Sequence, residues 1–198
     1  MKITSTLSLV SLLGSTLLMV AGCMAPPVDS ESEVDADIDV DVETTEEVGT
    51  AADAITNGWM PETSDGWAPI ACDSGNAISA FRCRGSDCDN IKGYCSSLGT
   101  YNTSTYWTTY FSEESTNWRT CNAGDFVTGF ACTGSYCDNV SLQCSHLNGK
   151  TWGTCYWSGF ISEENGGTIY FPPNYYIAGA KCDGDHCDNM AFYYCQAY

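Results

Sequence analysis

The chain has 198 residues, with 25 acidic side chains against seven Lys or Arg and a formal charge of −18. A balance this negative excludes nucleic acid and anionic lipid as charge-driven partners, because no basic cluster offsets the repulsion. Thirteen cysteines and only two histidines point to an oxidising compartment and to disulfides rather than to metal chemistry.

The first element reads as an export signal. Met1-Lys2 is a minimal charged start, and an apolar run through Leu7, Leu12, Leu13, Leu17 and Leu18 ends in Val20-Ala21-Gly22-Cys23. Small residues closing a short apolar run mark a cleavage site rather than a membrane-spanning helix. A cysteine directly after the small pair resembles the bacterial lipoprotein signal. That resemblance implies removal of residues 1–22 and acylation of the Cys23 thiol, so that a membrane becomes a partner through lipid (palmitate-type chains). Each buried methylene contributes about 0.8 kcal/mol, and two or more chains anchor firmly. Met24 is not the aspartate that retains some lipoproteins at the inner membrane, which implies the outer membrane or cell surface of a bacterial envelope.

Residues 23–56 have a different composition. From Met24 to Thr56 there are eleven acidic residues, no basic residue and no aromatic one. Such a segment cannot bury enough apolar surface to offset its ordering entropy, so it is expected to be a disordered, self-repelling tether spanning roughly 30 Å. The alternation from Val34 to Val42 has strand period, and its aspartates are oxygen donors of the kind calcium takes, but a solvated tether accounts for them.

Residues 57–198 are of single-domain size. They carry one motif three times: Cys83-Arg-Gly-Ser-Asp-Cys88-Asp89-Asn90, Cys132-Thr-Gly-Ser-Tyr-Cys137-Asp138-Asn139 and Cys182-Asp-Gly-Asp-His-Cys187-Asp188-Asn189. The spacings of 49 and 50 residues are those of a fold built from one repeated supersecondary unit. The repeats run from about 59 to 106, 107 to 156 and 157 to 198.

Twelve cysteines remain after Cys23, an even number that reads as six disulfides. In copies one and two, Cys72, Cys83, Cys88, Cys95 and Cys121, Cys132, Cys137, Cys144 share gaps of 11, 5 and 7. The simplest pairing nests two bridges in a hairpin: Cys83–Cys88 and Cys132–Cys137 at the tip, Cys72–Cys95 and Cys121–Cys144 at the base. By loop closure a tip bridge contributes about 2 kcal/mol and a base bridge about 3.5. In copy three the position eleven before Cys182 is Phe171, not cysteine. Cys155 therefore takes over as partner of Cys195, beside Cys182–Cys187. Cys-x4-Cys pairs can also ligate zinc, but an oxidising compartment and scarce histidine disfavour it.

The residues flanking the tips alternate with strand period, and no segment has helical period, so the domain is expected to be all-β. Val140 and Leu142 share the inward face, as do Met190 and Phe192, while copy one has Ile91 and then Gly93. Gly85, Gly134 and Gly184 occupy loop positions that call for positive φ. An arm precedes each hairpin: Trp107 to Glu113-Glu114 matches Trp157 to Glu163-Glu164, and copy one has only a degenerate Trp59-Met-Pro-Glu62. A pseudo-threefold ring closed by the N-terminal segment is the expected form.

Ser112-Glu113-Glu114 and the run from Gly134-Ser-Tyr-Cys137-Asp138-Asn139 through Cys144 resemble cysteine-rich triple repeats in exported proteins of myxobacteria and actinobacteria, which imply no activity. Gly124-Asp-Phe-Val-Thr-Gly129 with Asn139-Val-Ser-Leu-Gln-Cys144 is similar to the vitelline membrane outer layer proteins, and that similarity implies a β-prism, a shape several lectins share.

Three sets of residues are candidates for chemistry. Asp89, Asp138 and Asp188, with Asn90, Asn139 and Asn189, suit sugar or calcium sites; as loop-cap residues they would instead bond nearby backbone amides. The Glu pairs point to opposite faces if they lie on strands, which disfavours a glycosidase. His146 and His186 are the available near-neutral bases, and neither has a recognisable nucleophile. Exposed aromatics, Trp107 and Trp157 foremost, are the better surface, since sugar C–H faces stack on aromatic rings; core packing is the competing role. The reading is a non-catalytic binding domain on an envelope lipoprotein, with a glycan as ligand and no cofactor or metal. The alternatives are a structural envelope or surface-coat protein and an inhibitor of secreted enzymes.

Overall fold

The computed structural model describes residues 57–198; the expected export signal, Cys23 and the acidic segment lie outside the described residues. The strands are β1 (Gly58–Trp59), β2 (Ile70–Ala71), β3 (Asn76–Arg84), β4 (Asn90–Ser97), β5 (Asn102–Trp107), β6 (Trp118–Thr120), β7 (Phe126–Thr133), β8 (Asn139–Leu147), β9 (Trp152–Trp157), β10 (Thr168–Tyr170), β11 (Tyr175–Asp183) and β12 (Asn189–Ala197). They form three four-stranded sheets, ordered β1-β4-β3-β10, β2-β7-β8-β5 and β6-β11-β12-β9. The domain is all-β, pseudo-threefold and prism-like, as its repeat implies.

Each sheet is centred on one cysteine hairpin, but the sheets are not the sequence repeats. With each copy counted from its arm strand (β1, β5 and β9), every arm pairs first with the return strand of the hairpin that follows it, as β1 with β4, β5 with β8 and β9 with β12. The arm then crosses over and supplies the far edge of the next sheet: β2 pairs β7, β6 pairs β11 and β10 pairs β3. The exchange runs from copy one to two, two to three and three back to one. Closure is therefore made by the third arm on β3, not by the N-terminal strand β1, which stays on its own copy. The reason lies in chain order: only the arm of copy three has a preceding hairpin left to complete.

All six disulfides pair as the spacing implies. Cys72 and Cys121 follow the crossed-over strands, so Cys72–Cys95 and Cys121–Cys144 staple one sheet to the next. Cys155 lies directly opposite Cys195 within one sheet. Phe171, at the vacated cysteine position, packs at 4.7 Å from the Tyr194 ring and 6.2 Å from Phe192.

Inside, large and small residues complement each other across the first and third hairpins, while the second pairs two large ones. Phe81 faces Gly93, Phe130 faces Leu142, and Ala180 faces Phe192. The three phenylalanines are fully buried and meet, Phe81 lying 4.5 Å from Phe192 and 5.5 Å from Phe130 between ring centroids. Gly93 is explained by the arm of its own copy. A Cβ there would sit 2.7 Å from Met60 Cε and 2.8 Å from Ile78 Cγ2, so Met60 fills the second inward position. Packed interiors leave no slack for that overlap. The predicted inward residues Ile91, Val140, Leu142, Met190 and Phe192 are all buried.

Candidate functional site

Two regions carry the residues singled out from the sequence. The first is the set of hairpin tips, where Gly85, Gly134 and Gly184 adopt φ of 83°, 90° and 80°. Two residues of left-handed backbone follow in each tip (Asp87-Cys88, Tyr136-Cys137 and His186-Cys187). A Cβ on any of the three glycines would overlap the carboxylate of Asp89, Asp138 or Asp188. Each of those aspartates is folded back over its own tip and accepts from the side-chain amide of the next residue, Asn90, Asn139 or Asn189. They do not cap backbone amides with their side chains.

The tip amides are capped from another copy instead. The Asp87 N–H donates to Glu163 Oε1 at 3.0 Å, and the His186 N–H donates to Glu113 Oε1 at 3.0 Å. The third cap is Asp65, which accepts from Tyr136 N–H at 3.2 Å and Cys137 N–H at 2.7 Å. Asp65 was not a sequence candidate, although a signal exists: it stands six residues after Trp59, as Glu113 does after Trp107 and Glu163 after Trp157. The caps follow the same cyclic order as the strand exchange. Glu113 lies in a turn and Glu163 in a 3-10 segment (Glu163–Asn165), not on strands. Their neighbours Glu114 and Glu164 are exposed, so neither pair forms a facing carboxylate dyad.

The tips converge. Cys88 Sγ lies 3.2 Å from the Asp188 carbonyl oxygen, Cys137 Sγ 3.0 Å from that of Asp89 and Cys187 Sγ 3.1 Å from that of Asp138. A disulfide sulfur has no proton to donate, so these are packing contacts. The crevice between them, flanked by Tyr136 and His186, has a volume of about 10 Å³, room for one water at most. Each cap carboxylate also sits beside two sulfurs, as Glu163 does beside Cys83 and Cys88. Bridged sulfurs are not thiolates, and these groups make no zinc or calcium site. Burial pushes Asp89 and Asp188 above the ordinary carboxylate value, against the lowering effect of their asparagine partners; the Glu163 and Asp87 carboxylates add to the rise.

His146 has an acidic partner that the sequence did not reveal. Its Nδ1 lies 2.8 Å from Oδ1 of the buried Asp125. The Tyr106 hydroxyl donates to Asp125 Oδ2 at 3.2 Å, and the Trp152 indole N–H donates to the Asp125 carbonyl at 2.7 Å. Ser145 is turned away, to Thr105 and Thr128 at 2.9 Å each. The group ties β5, β8 and β9 together.

The second region is the outer faces of the sheets, which register makes comparable. Sheet one presents the row Tyr170, Ala80, Tyr94, Trp59. Sheet three presents Thr120, Gly179, Tyr193, Trp157, and sheet two Ala71, Gly129, Gln143, Trp107. Beside the row stands Arg82 in sheet one, Lys181 in sheet three and Ala131 in sheet two. In sheet one the row is closed: Tyr170 packs 6.0 Å from Trp59, and Arg82 lies 4.6 Å over Trp59 while donating to Thr168 Oγ1 at 3.0 Å. In sheet three, Thr120 stands where sheet one has Tyr170 and packs closely on Gly179, and the space that the missing tyrosine ring leaves is a cleft.

That cleft has a volume of about 540 Å³ and is lined by Trp118, Thr120, Trp152, Trp157, Lys181 and Tyr193, a size that suits a small ligand. Tyr193 stands between Trp152 and Trp157, with ring separations of 5.9 and 5.3 Å. Trp118 is 51% and Trp157 40% exposed. Trp107 is as exposed, at 39%, but stands opposite Gln143, where sheet three has Tyr193, and its sheet has Ala131 at the register of Lys181. The two tryptophans singled out together thus occupy equivalent positions with different surroundings. Four residues of β12 separate Asn189 from Tyr193, roughly 13 Å at strand rise, so the Asp–Asn pairs and Trp157 belong to separate regions.

The class this geometry defines is a closed three-sheet repeat domain, stapled by six disulfides, with one aromatic cleft on its third face. No protein-family model matches the chain, and no curated protein or solved structure does either.

Proposed function

We propose that this protein is an envelope lipoprotein, anchored through Cys23, that presents a non-catalytic glycan-binding domain on an acidic tether. The observation that carries the binding role is the cleft of sheet three. Three tryptophans and a tyrosine surround it, two of the indoles are half exposed, and the fold gains nothing from leaving them so, since burying a tryptophan side chain is strongly favourable. Flat apolar rings beside hydroxyl and ammonium donors match the two faces of a pyranose. The anchor is supported by the resemblance of Val20-Ala21-Gly22-Cys23 to a lipoprotein signal, and the disulfides suit an oxidising location.

The test is a glycan-array screen of the exported, oxidised full-length protein beside Trp157→Ala and Trp118→Ala. Binding that either substitution abolishes supports the proposal. Absence of binding to every glycan, with six disulfides verified by mass spectrometry, rejects it and leaves the structural envelope role. Acyl chains on Cys23, and release of Cys23→Ala from the membrane fraction, test the anchor separately.

A further inference from the structure

Lys181 has a surrounding unlike any other cation among the described residues. Arg82 stacks on Trp59 and donates to Thr168. Arg84 and Lys92 pair with Glu62 at 3.9 and 2.9 Å, and Arg119 donates to Thr109 at 2.8 Å. Lys150 lies at the Asn148–Gly149 turn, outside the cleft. The Lys181 ammonium instead sits 4.9 Å from the Trp157 ring centroid and 5.0 Å from that of Phe160, and among the described residues it has no carboxylate within 4.0 Å and no hydrogen-bond acceptor. A cation over aromatic faces is held by their quadrupoles, and its three N–H donors face the cleft rather than a protein acceptor.

This is odd in a domain with fourteen acidic and six basic side chains. With acid in such excess, an ammonium held over two aromatic rings rather than beside a carboxylate stands out. Its register partner across the sheet is Trp118, the most exposed indole of the cleft. The ammonium, Trp118 and Trp157 therefore border the same space, with Thr120 between them and packed closely on Gly179.

We infer that the cleft of sheet three takes an anionic pyranose, such as a uronate or sulfated sugar unit, with the ring against Trp118 and Trp157 and the anionic substituent on Lys181. The inference rests on the glycan-binding reading and narrows it to acidic polysaccharides at one face. An ammonium is a point charge without the planar fork that selects carboxylate geometry, so carboxylate and sulfate are both admitted. The acidic surface elsewhere repels such polymers, and binding is confined to this cleft. Sheets one and two lack the site because Arg82 is engaged by Trp59 and Thr168, and copy two has Ala131 at that register.

Calorimetric titration of the oxidised full-length protein with an oligogalacturonate, a sulfated dextran oligomer and neutral maltohexaose tests this. Wild type, Lys181→Gln, Trp157→Ala and Lys150→Gln are compared, with melting midpoints as the folding control. Lys181→Gln is expected to weaken the anionic oligomers at least tenfold with an unchanged melting midpoint, while Lys150→Gln stays within twofold, although both remove one charge. The stronger of the two anionic oligomers identifies the substituent. Equal losses in Lys181→Gln and Lys150→Gln, or tight binding of maltohexaose that Lys181→Gln leaves intact, overturn the anionic assignment but not glycan binding. No binding by wild type to any saccharide overturns both.

Discussion

The three hairpin tips and the three outer sheet faces answer the same threefold repeat in opposite ways. At the tips, each copy has a glycine with positive φ, an aspartate folded over it, an asparagine holding that aspartate, and an acidic cap from the neighbouring copy. On the faces, only the tryptophan recurs; the cation, the tyrosine and the edge residue differ from sheet to sheet. The tips must match because each closes against the next, and a misfit in one propagates around the ring. The faces point to solvent and have no such constraint. One of them leaves space and exposed indoles that stability does not require.

Several substitutions would break or sharpen this contrast. The largest effect is expected from Cys72→Ser with Cys95→Ser, which frees the staple between two sheets and should cost about 3.5 kcal/mol of stability in denaturant unfolding. A loss below about 1 kcal/mol would mean that the strand exchange holds the ring without it. Glu163→Ala removes the cap on the Asp87 amide and should cost about 1–2 kcal/mol, and Asp65→Ala should match it if the two are equivalent. Glu164→Ala, exposed beside it, should stay within about 0.5 kcal/mol. On the faces, Trp157→Ala should abolish ligand binding while Trp107→Ala leaves it intact; equal losses would return the two tryptophans to equivalence.

The smallest effect is a pH dependence. Asp89 and Asp188 have folded-state values raised above 3.8 by burial. Between 3.8 and the raised value the folded protein binds more protons than the unfolded chain, so stability falls as pH rises through that window. The penalty is present above the window and absent below it. Asp188→Asn keeps the acceptor for Asn189 and loses the charge. It should therefore be slightly more stable than wild type at pH 7 and lose that advantage below pH 3.8. Both aspartates are only half-buried, which keeps the difference small. A variant gain that grows on acidification would contradict the assignment.

Much of the domain was legible because its signals are local. Cysteine gaps of 11, 5 and 7 place both partners of two base bridges and of the tip bridges within one sequence copy, and strand alternation placed Val140, Leu142, Met190 and Phe192 inside. The single exception, Cys155 for Phe171, was legible by elimination. Asp65 was missed because aspartate is one methylene shorter than glutamate and its arm lacks the Ser-Glu-Glu run, although the six-residue spacing from Trp59 was present. The outlook for the cleft was different. Trp157 was singled out, but so was Trp107, and nothing local distinguishes them.

What the sequence by itself determined is the repeat, the all-β class, the disulfide pairing and the inward face of each hairpin: the repeat shows as one motif at a fixed spacing, and the others depend on residues no more than 40 positions apart. What only the tertiary structure decided is which arm completes which sheet, and therefore that Thr120 from the second arm lies beside Gly179, Tyr193 and Trp157 of the third copy. That row joins four strands from two copies. Its open space comes from the absence of the large side chain that Tyr170 supplies in sheet one, and a gap of that kind exists only once the strands stand in register.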